Sequence, residues 1–356
     1  MAETTPKRHG TAVPRAEDTL MHAEAGEAAA AVERQLALND GLVESLAAQL
    51  RREPPRFVVT CARGSSGHAA TWAKYAVETQ LGLVVATASP SVASLYDARQ
   101  DLSGALFVVI SQSGRSPDLL KSAEVARARG ARVVALMNVA DAPLAERADV
   151  VIPLHAGAER SVAATKSYLA TLAALLHLVA RWRDDPGLLT ALRALPAGLR
   201  AAAALDWSPL VDGLADADDL FVLGRGYGLG AAAEVALKFK ETCGLHAEAF
   251  SSAEVKHGPM ALIGPDFPLL MFGQDDATLA GTLDAAREFQ ARGARVWCAA
   301  PGAPTDIALP VVPSAHPLCA PILAVQSFYR AANALAVRRG FDPDLPPHLN
   351  KVTETV

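Results

Sequence analysis

The chain has 356 residues, 51% of them hydrophobic, with a formal net charge of −5 and a pI near 6.0. That length and apolar content suit two domains, and the acidic balance excludes the basic footprint of a nucleic-acid binder. The N-terminus lacks a signal-peptide core, the longest apolar run (169–182) is broken by Thr171 and His177, and the cysteines Cys61, Cys243, Cys298 and Cys319 are too scattered for a metal site. The expected setting is therefore a reducing cytoplasm, with a small-molecule partner and neither nucleic acid nor membrane.

Residues 1–19 hold Pro, Lys, Arg and Thr without an apolar period and read as a flexible tail. Strands and helices then alternate. Strands are predicted at 57–61, 83–86, 105–110, 132–136 and 150–153, with helices at 67–81, 117–129 and 162–183. A stretch rich in Ala, Leu and Pro, 188–206, reads as a linking helix. Beyond it, strands are predicted at 220–223, 269–272, 295–299 and 307–311, and helices at 228–243, 279–292 and 319–338. The strands are short apolar runs without polar alternation, as sheets covered on both faces require. Alternation with helices implies parallel sheets with right-handed crossovers.

The chain repeats itself. Ala128-Arg-Gly-Ala-Arg-Val-Val-Ala135 returns as Ala291-Arg-Gly-Ala-Arg-Val-Trp-Cys298. Phe57-Val-Val with Arg63-Gly64 returns as Phe221-Val-Leu with Arg225-Gly226. These separations nearly coincide, which indicates a duplicated domain. The fold class is thus α/β, with two tandem doubly wound parallel-sheet domains of flavodoxin-like type. Residues 20–204 hold an N-terminal helix, the first domain and the linker helix; 205–340 hold the second domain; 341–356 form a C-terminal segment.

Phe107-Val-Val-Ile-Ser-Gln-Ser-Gly-Arg-Ser-Pro117 runs a strand into a hydroxyl-rich turn with Pro117 opening a helix. Backbone N–H groups, helix dipole and the hydroxyls of Ser111, Ser113 and Ser116 suit a dianion such as a phosphate monoester. The turn has no Gly-Lys-Ser/Thr ending, so it does not read as a nucleotide P-loop. The plainer alternative makes Ser116 an ordinary N-cap. Arg63-Gly-Ser-Ser-Gly67 closes another strand. In the second copy the serine turn is replaced by Phe272-Gly-Gln-Asp-Asp-Ala277, where Asp275 and Asp276 would repel a phosphate. Glu234, Lys238 and Glu241 share a helix face, the usual mark of a solvated ion-pair ladder. His257 precedes Gly258-Pro259 and reads equally well as a helix-end histidine.

Together these segments resemble the double sugar-isomerase (SIS) domain family of phosphosugar enzymes, from about Met21 to the C-terminus. The likeness is carried by Arg63-Gly-Ser-Ser66, Ser111-Gln-Ser-Gly114, Val162-Ala-Ala-Thr-Lys-Ser167, Ala236-Leu-Lys-Phe-Lys-Glu241, His246-Ala-Glu-Ala249, Glu254-Val-Lys-His-Gly-Pro259 and Leu349-Asn-Lys-Val-Thr353. In order and spacing they are similar to the isomerase half of glucosamine-6-phosphate synthase. The resemblance implies that Ser65 and Ser66 lie near the sugar, that Ser111, Gln112, Ser113 and Ser116 hold the phosphate, and that Val162 and Ala164 touch the sugar. It implies Glu241 as the carboxylate moving a proton between the first two sugar carbons, with Lys238 as its companion. His257 would open the ring from a neighbouring subunit of a homodimer with shared sites, and Lys351 would reach the open-chain carbonyl. No metal or other cofactor is implied. Ala164 departs from the serine common in the synthase.

The synthase also carries a glutaminase domain with a cysteine after the initiator methionine, where this chain has Ala2. The resemblance of Arg115-Ser-Pro-Asp118, Pro90-Ser-Val-Ala-Ser94 and Val162-Ala-Ala-Thr-Lys-Ser-Tyr-Leu-Ala-Thr-Leu172 to SIS-type glucosamine-6-phosphate deaminases points the same way. The expected activity is therefore conversion of glucosamine 6-phosphate and water to fructose 6-phosphate and ammonia. A glutaminase-free aldose–ketose isomerase and a non-catalytic sugar-phosphate sensor are the alternatives. His68 reads as a first-turn residue and His246 as packed or catalytic. His155, Glu159 and Lys166 have at most a part in a lid, with Lys166 binding an anion or solvating a helix start. Helix 319–338 reads as core or dimer interface.

Overall fold

The structure, a computed structural model, describes residues 14–351. The expected flexible tail lies outside the described residues up to position 13, as do Val352 and Thr353 of the C-terminal motif. Ala16–Asp18 forms a 3-10 turn, followed by α1 (Leu20–Gly26) and α2 (Ala28–Arg52). The C-terminal segment is tied to this start: the Asp344 carboxylate accepts hydrogen bonds from Leu20 N at 2.6 Å and Met21 N at 2.7 Å. It sits at the exposed N–H groups of α1, where an anion is favoured.

The first sheet holds β1 (Phe57–Ala62), β2 (Val85–Thr87), β3 (Ala105–Ile110), β4 (Arg132–Met137) and β5 (Val150–Pro153). All pairs are parallel, in the order β2-β1-β3-β4-β5, with Phe57 opposite Ala105 and Leu106 opposite Arg132. Its helices are α3 (Gly64–Leu81), α4 (Pro90–Ser94), α5 (Pro117–Ala128) and α6 (Lys166–Arg183). Then come α7 (Pro186–Ala203), the expected linker, and α8 (Ser208–Leu214). The second sheet repeats the plan as β7-β6-β8-β9, again parallel, from β6 (Asp219–Gly224), β7 (His246–Ser251), β8 (Pro268–Phe272) and β9 (Arg295–Ala299). Its helices are α9 (Gly228–Cys243), α10 (Leu279–Ala291) and α11 (Ala320–Arg338).

The duplication is therefore structural as well as textual: β6, β8 and β9 stand where β1, β3 and β4 stand. Three expectations need correction. The strand predicted at 307–311 makes only an isolated bridge, Cys298 to Ala308, because Pro310 and Pro313 have no N–H to give to a ladder. The segment 246–251, read only as a motif, is the edge strand β7. Helix α6 begins at Lys166 rather than at 162, for a reason found in the site.

One apolar core runs between the sheets through α2, α3, α6, α7, α9 and α11, and smaller cores lie on the outer face of each sheet. Helix α6 is buried on every side, which accounts for its apolar run. No single helix among the described residues is long and apolar enough to cross a membrane. Ile322, Val325, Phe328 and Ala332 of α11 are fully buried within this one chain, so that face of the helix is core. Helices α3 and α9, equivalent in the two copies, cross at Gly230. A Cβ there would lie 2.7 Å from the His68 carbonyl oxygen and 2.9 Å from Trp72 N, so only glycine permits the approach.

Candidate active site

In a sheet of order 2-1-3-4-5 the direction in which strands are added reverses between β1 and β3, and a crevice opens beyond their carboxyl ends. Both serine-bearing turns lie there. A cavity of about 700 Å³ is walled by Arg63, Gly64, Ser65 and Ser66 after β1, by Ser111, Gln112, Ser113 and Ser116 after β3, and by Val162 and Ala164. Glu241 of α9 and Leu349, Asn350 and Lys351 of the C-terminal segment complete it. The loops of the first copy thus share one cavity with the carboxylate of the second.

The turn after β3 is shaped by its own hydroxyls. Ser111 Oγ accepts from Gly114 N at 3.1 Å, and Ser113 Oγ accepts from Arg115 N at 3.4 Å. Gly114 has φ +64°, and a Cβ there would meet Met137 Cε at 2.5 Å and Ala142 Cβ at 2.8 Å. Ser116 occupies the N-cap position of α5 but its side chain makes no capping hydrogen bond. The plain N-cap reading therefore does not hold. Arg63, at the N-cap of α3, likewise makes no side-chain cap bond. The starts of α3 and α5 thus flank one crevice, and helix N-termini favour an anion. Arg63, which the sequence reading left out of the site, adds a guanidinium held by the buried Asp118 at 2.7 and 2.8 Å.

The second copy's crevice is filled from within. Buried Gln274 donates from Nε2 to the Arg225 carbonyl at 2.9 Å and to Asp276 Oδ2 at 3.0 Å. Asp276 Oδ1 accepts from Thr278 N at 2.8 Å and from its hydroxyl at 2.6 Å. A carboxylate of the chain itself serves the start of α10, as Asp118 Oδ1 does in the first turn of α5 by accepting from Leu119 N at 2.8 Å.

Glu234, Lys238 and Glu241 are not a solvated ladder. Glu234 and Lys238 have no exposure, and Glu241 is 21% exposed at the cavity wall. Lys238 Nζ donates to Glu241 Oε2 and lies 3.6 Å from Glu234 Oε1. Burial works against the Lys238 charge, but the two carboxylates outweigh it and hold its pKa above the ordinary value. Lys238 therefore stands behind the cavity wall, bracing Glu241. His68 is more than a first-turn residue, since its Nδ1 lies 3.2 Å from Glu234 Oε2.

Lys351 Nζ donates to Glu159 Oε2 at 3.0 Å and to the Ser161 carbonyl at 2.8 Å. Glu159 also accepts from Thr165 N, Ser167 N and Ser167 Oγ at 3.0, 3.1 and 2.6 Å. This carboxylate occupies the N-terminus of α6, so residues 162–165 stay non-helical and Val162 and Ala164 turn into the cavity. Burial opposes its charge, yet Lys351 and these hydrogen bonds hold its pKa below the usual carboxylate value. The sequence signal was faint: an acidic residue a few positions before a predicted helix start. Lys166 is buried and paired with Glu27 at 2.6 Å, and so neither binds an anion nor solvates a helix start.

His257 does not join this cavity. It ends a 3-10 turn, Glu254–His257, and is exposed. His246 is exposed on β7, so it is not packed. His155 lines a neighbouring cleft with Gln112 and Glu159. Among the described residues no cluster of His, Cys, Asp and Glu could hold a metal ion.

With this geometry in view, the family model of the SIS domain matches residues 54–181 and 213–336. A glutamine–fructose-6-phosphate aminotransferase (isomerizing) of Symbiobacterium thermophilum is 35% identical over 315 residues, covering 83% of this chain and 51% of its own. A counterpart in Thermus thermophilus is 34% identical over 334 residues, covering 88% and 54%. The chain spans about half the length of these curated relatives. A crystal structure from Silicibacter pomeroyi, named as a candidate phosphosugar isomerase, is 45% identical with a TM-score of 0.88, covering 92% of this chain and all of that one. The C-terminal domain of glucosamine-fructose-6-phosphate aminotransferase from Francisella tularensis gives 26% identity and a TM-score of 0.83, covering 92% and 98%. A glucosamine-6-phosphate deaminase from Thermotoga maritima shares the fold at 20% identity, with a TM-score of 0.76 over 95% and 100% of the chains.

Proposed function

The chain belongs to the SIS domain family, and we propose that it is an amino-sugar phosphate deaminase, converting glucosamine 6-phosphate and water to fructose 6-phosphate and ammonia. The observation that carries this reading is the meeting, in one cavity, of an anion-type turn at Ser111–Ser116 with Glu241 and Lys351. The turn binds the phosphate and so places the far end of the open chain against the carboxylate. Glu241 takes the proton from C2, the carbon bearing nitrogen, and a proton is delivered to C1. The product is a C2 ketimine; water adds at C2 and ammonia leaves, giving the ketose. Lys351 and the charge of Lys238 stabilise the negative oxygen that develops at C1. His257 opens the ring in the site of a second copy of the chain, which makes the working unit a homodimer.

Support for deamination over amination comes from the Arg115–Asp118 and Val162–Leu172 segments and from Ala164, where the synthase commonly has serine. The names of the curated relatives favour a second reading, an aldose–ketose isomerase that aminates fructose 6-phosphate. The test incubates the protein with glucosamine 6-phosphate and measures ammonia and fructose 6-phosphate, then runs fructose 6-phosphate with ammonium or glutamine. Deaminase activity requires the first pair of products; amination alone would select the second reading.

A further inference from the structure

We propose that the pocket enclosed by α2, α6 and α7 binds a free α-amino acid with an apolar side chain, its ammonium on Asp40 and its carboxylate on Arg193. The inference does not depend on the reaction assigned to the other cavity, with which this pocket shares no lining residue.

His177 interrupts the apolar run of α6, and the pocket shows where it is used. Its side chain is 3% exposed, and Nε2 lies 3.2 Å from Asp40 Oδ1 of α2. An ionised carboxylate only accepts, so Nε2 carries the proton. Arg181, one turn further along α6, donates to the same Oδ1 and lies 3.1 Å from Glu44 Oε2. The Arg181 bond, with that of His177 added, holds the Asp40 pKa below its usual value. Burial, with the charges of Arg181 and Arg193, outweighs Asp40 and holds the His177 pKa below its ordinary value, so the ring is neutral at pH 7. Both donors thus fall on one oxygen of Asp40. Its Oδ2 accepts from no described residue, and the side chain is 56% exposed.

Arg193 of α7 is exposed and lines the pocket; its side chain makes no ion pair or hydrogen bond among the described residues. Its charge bears on His177, as that of Asp40 does, so the two open groups serve the same part of the pocket. Leu36 and Ala37 of α2, with Leu189 and Leu192 of α7, supply the apolar wall of a space of about 310 Å³. That is the small end of ligand pockets, which run from about 300 to 1,000 Å³.

An ion-pair network that merely tied α2 to α6 would need neither the open oxygen of Asp40 nor Arg193. A simple anion would satisfy Arg193 but meet the Asp40 carboxylate, and a simple cation would do the reverse. A zwitterion with its two charges on neighbouring groups satisfies both. Its carboxylate matches the planar guanidinium, and an aliphatic side chain removes the leucine wall from water. The two donors on Oδ1 already fix Asp40, which lowers the cost of ordering it on binding.

The test titrates L-leucine into the protein by calorimetry, beside isocaproate, which lacks the ammonium, isoamylamine, which lacks the carboxylate, and L-serine, which lacks the apolar body. Leucine should bind saturably with a Kd of about 1 mM or tighter, and each comparison compound at least about tenfold more weakly. Arg193→Gln changes an exposed, unpaired side chain, so it should leave the melting temperature unchanged while weakening leucine at least about tenfold. No saturable heat with leucine up to about 10 mM overturns the proposal. So does an unchanged leucine Kd in R193Q, or isocaproate, isoamylamine or serine binding as tightly as leucine.

Discussion

Lys351 Nζ and Glu159 Oε2 are 3.0 Å apart, joining the C-terminal segment to the carboxylate that starts α6. This pair sets one wall of the cavity. Glu159→Gln leaves Lys351 without its counter-charge and weakens the start of α6. It should cost about 3 kcal/mol of stability, the usual range for removing one partner of a buried pair, read by urea unfolding.

The same pair has a defined pH window. The Glu159 pKa is held below its ordinary value of 4.5 in the folded chain. A depressed carboxylate contributes stability above its unfolded value, and that contribution is lost as pH falls through the folded value. Docking of Lys351 should therefore be unchanged from neutrality down to about pH 4.5 and lost only in stronger acid. Limited proteolysis near Leu349 across that range reads it; release at pH 6 would contradict the assignment.

Gly114→Ala tests the anion turn. The added methyl meets Met137 and Ala142 at positive φ, so the turn must open. We expect a KM for glucosamine 6-phosphate raised about tenfold or more and a stability loss of about 1–3 kcal/mol. An unchanged KM would remove the phosphate from this turn.

Arg63→Gln removes a cation of the cavity wall. Charge-assisted contacts to phosphate are about twice as strong as neutral ones, so KM should rise about tenfold, with kcat changed less. The salt dependence of KM should also flatten, which a purely structural loss would not cause.

The proposed sharing of the site between two copies can be tested by mixing. Glu241→Gln and His257→Ala should each be inactive as pure proteins. In a mixed dimer one site carries both lesions and the other neither, so mixing after reversible dissociation should restore about a quarter of wild-type activity. No recovery would confine the site to one chain.

Much of this architecture was legible because the duplicated strands are buried on both faces and so are written as short apolar runs. β3, β5 and β9 begin and end where the pattern places them. β7 was missed because its alternation, His246-Ala-Glu-Ala249, is short and built from alanine, histidine and glutamate, without the β-branched residues that mark a strand. The 307–311 run looked apolar enough, but Pro310 within it and Pro313 just beyond decide against a ladder. At the site, the lining residues were legible as motifs after strand ends. What sequence spacing could not show is depth. Glu234, Lys238 and Glu241 have the same three- and four-residue spacing on a solvated face as in a core, and it is the packing of α3 and α11 on α9 that buries Glu234 and Lys238. Glu159 and Arg63 escaped for a related reason, since their partners, Lys351 and Asp118, lie far away in the chain.

The central claim is that the turn of the first copy holds a sugar phosphate while Glu241 of the second moves its C2 proton. Glucosamine 6-phosphate carrying deuterium at C2 tests it most directly, with isotope followed in wild type and Glu241→Gln. Wild type should pass the deuterium to C1 of fructose 6-phosphate or lose it to water as ammonia appears, and E241Q should leave it at C2 while still binding the sugar phosphate. Loss of the C2 deuterium by E241Q at the wild-type rate would contradict the account.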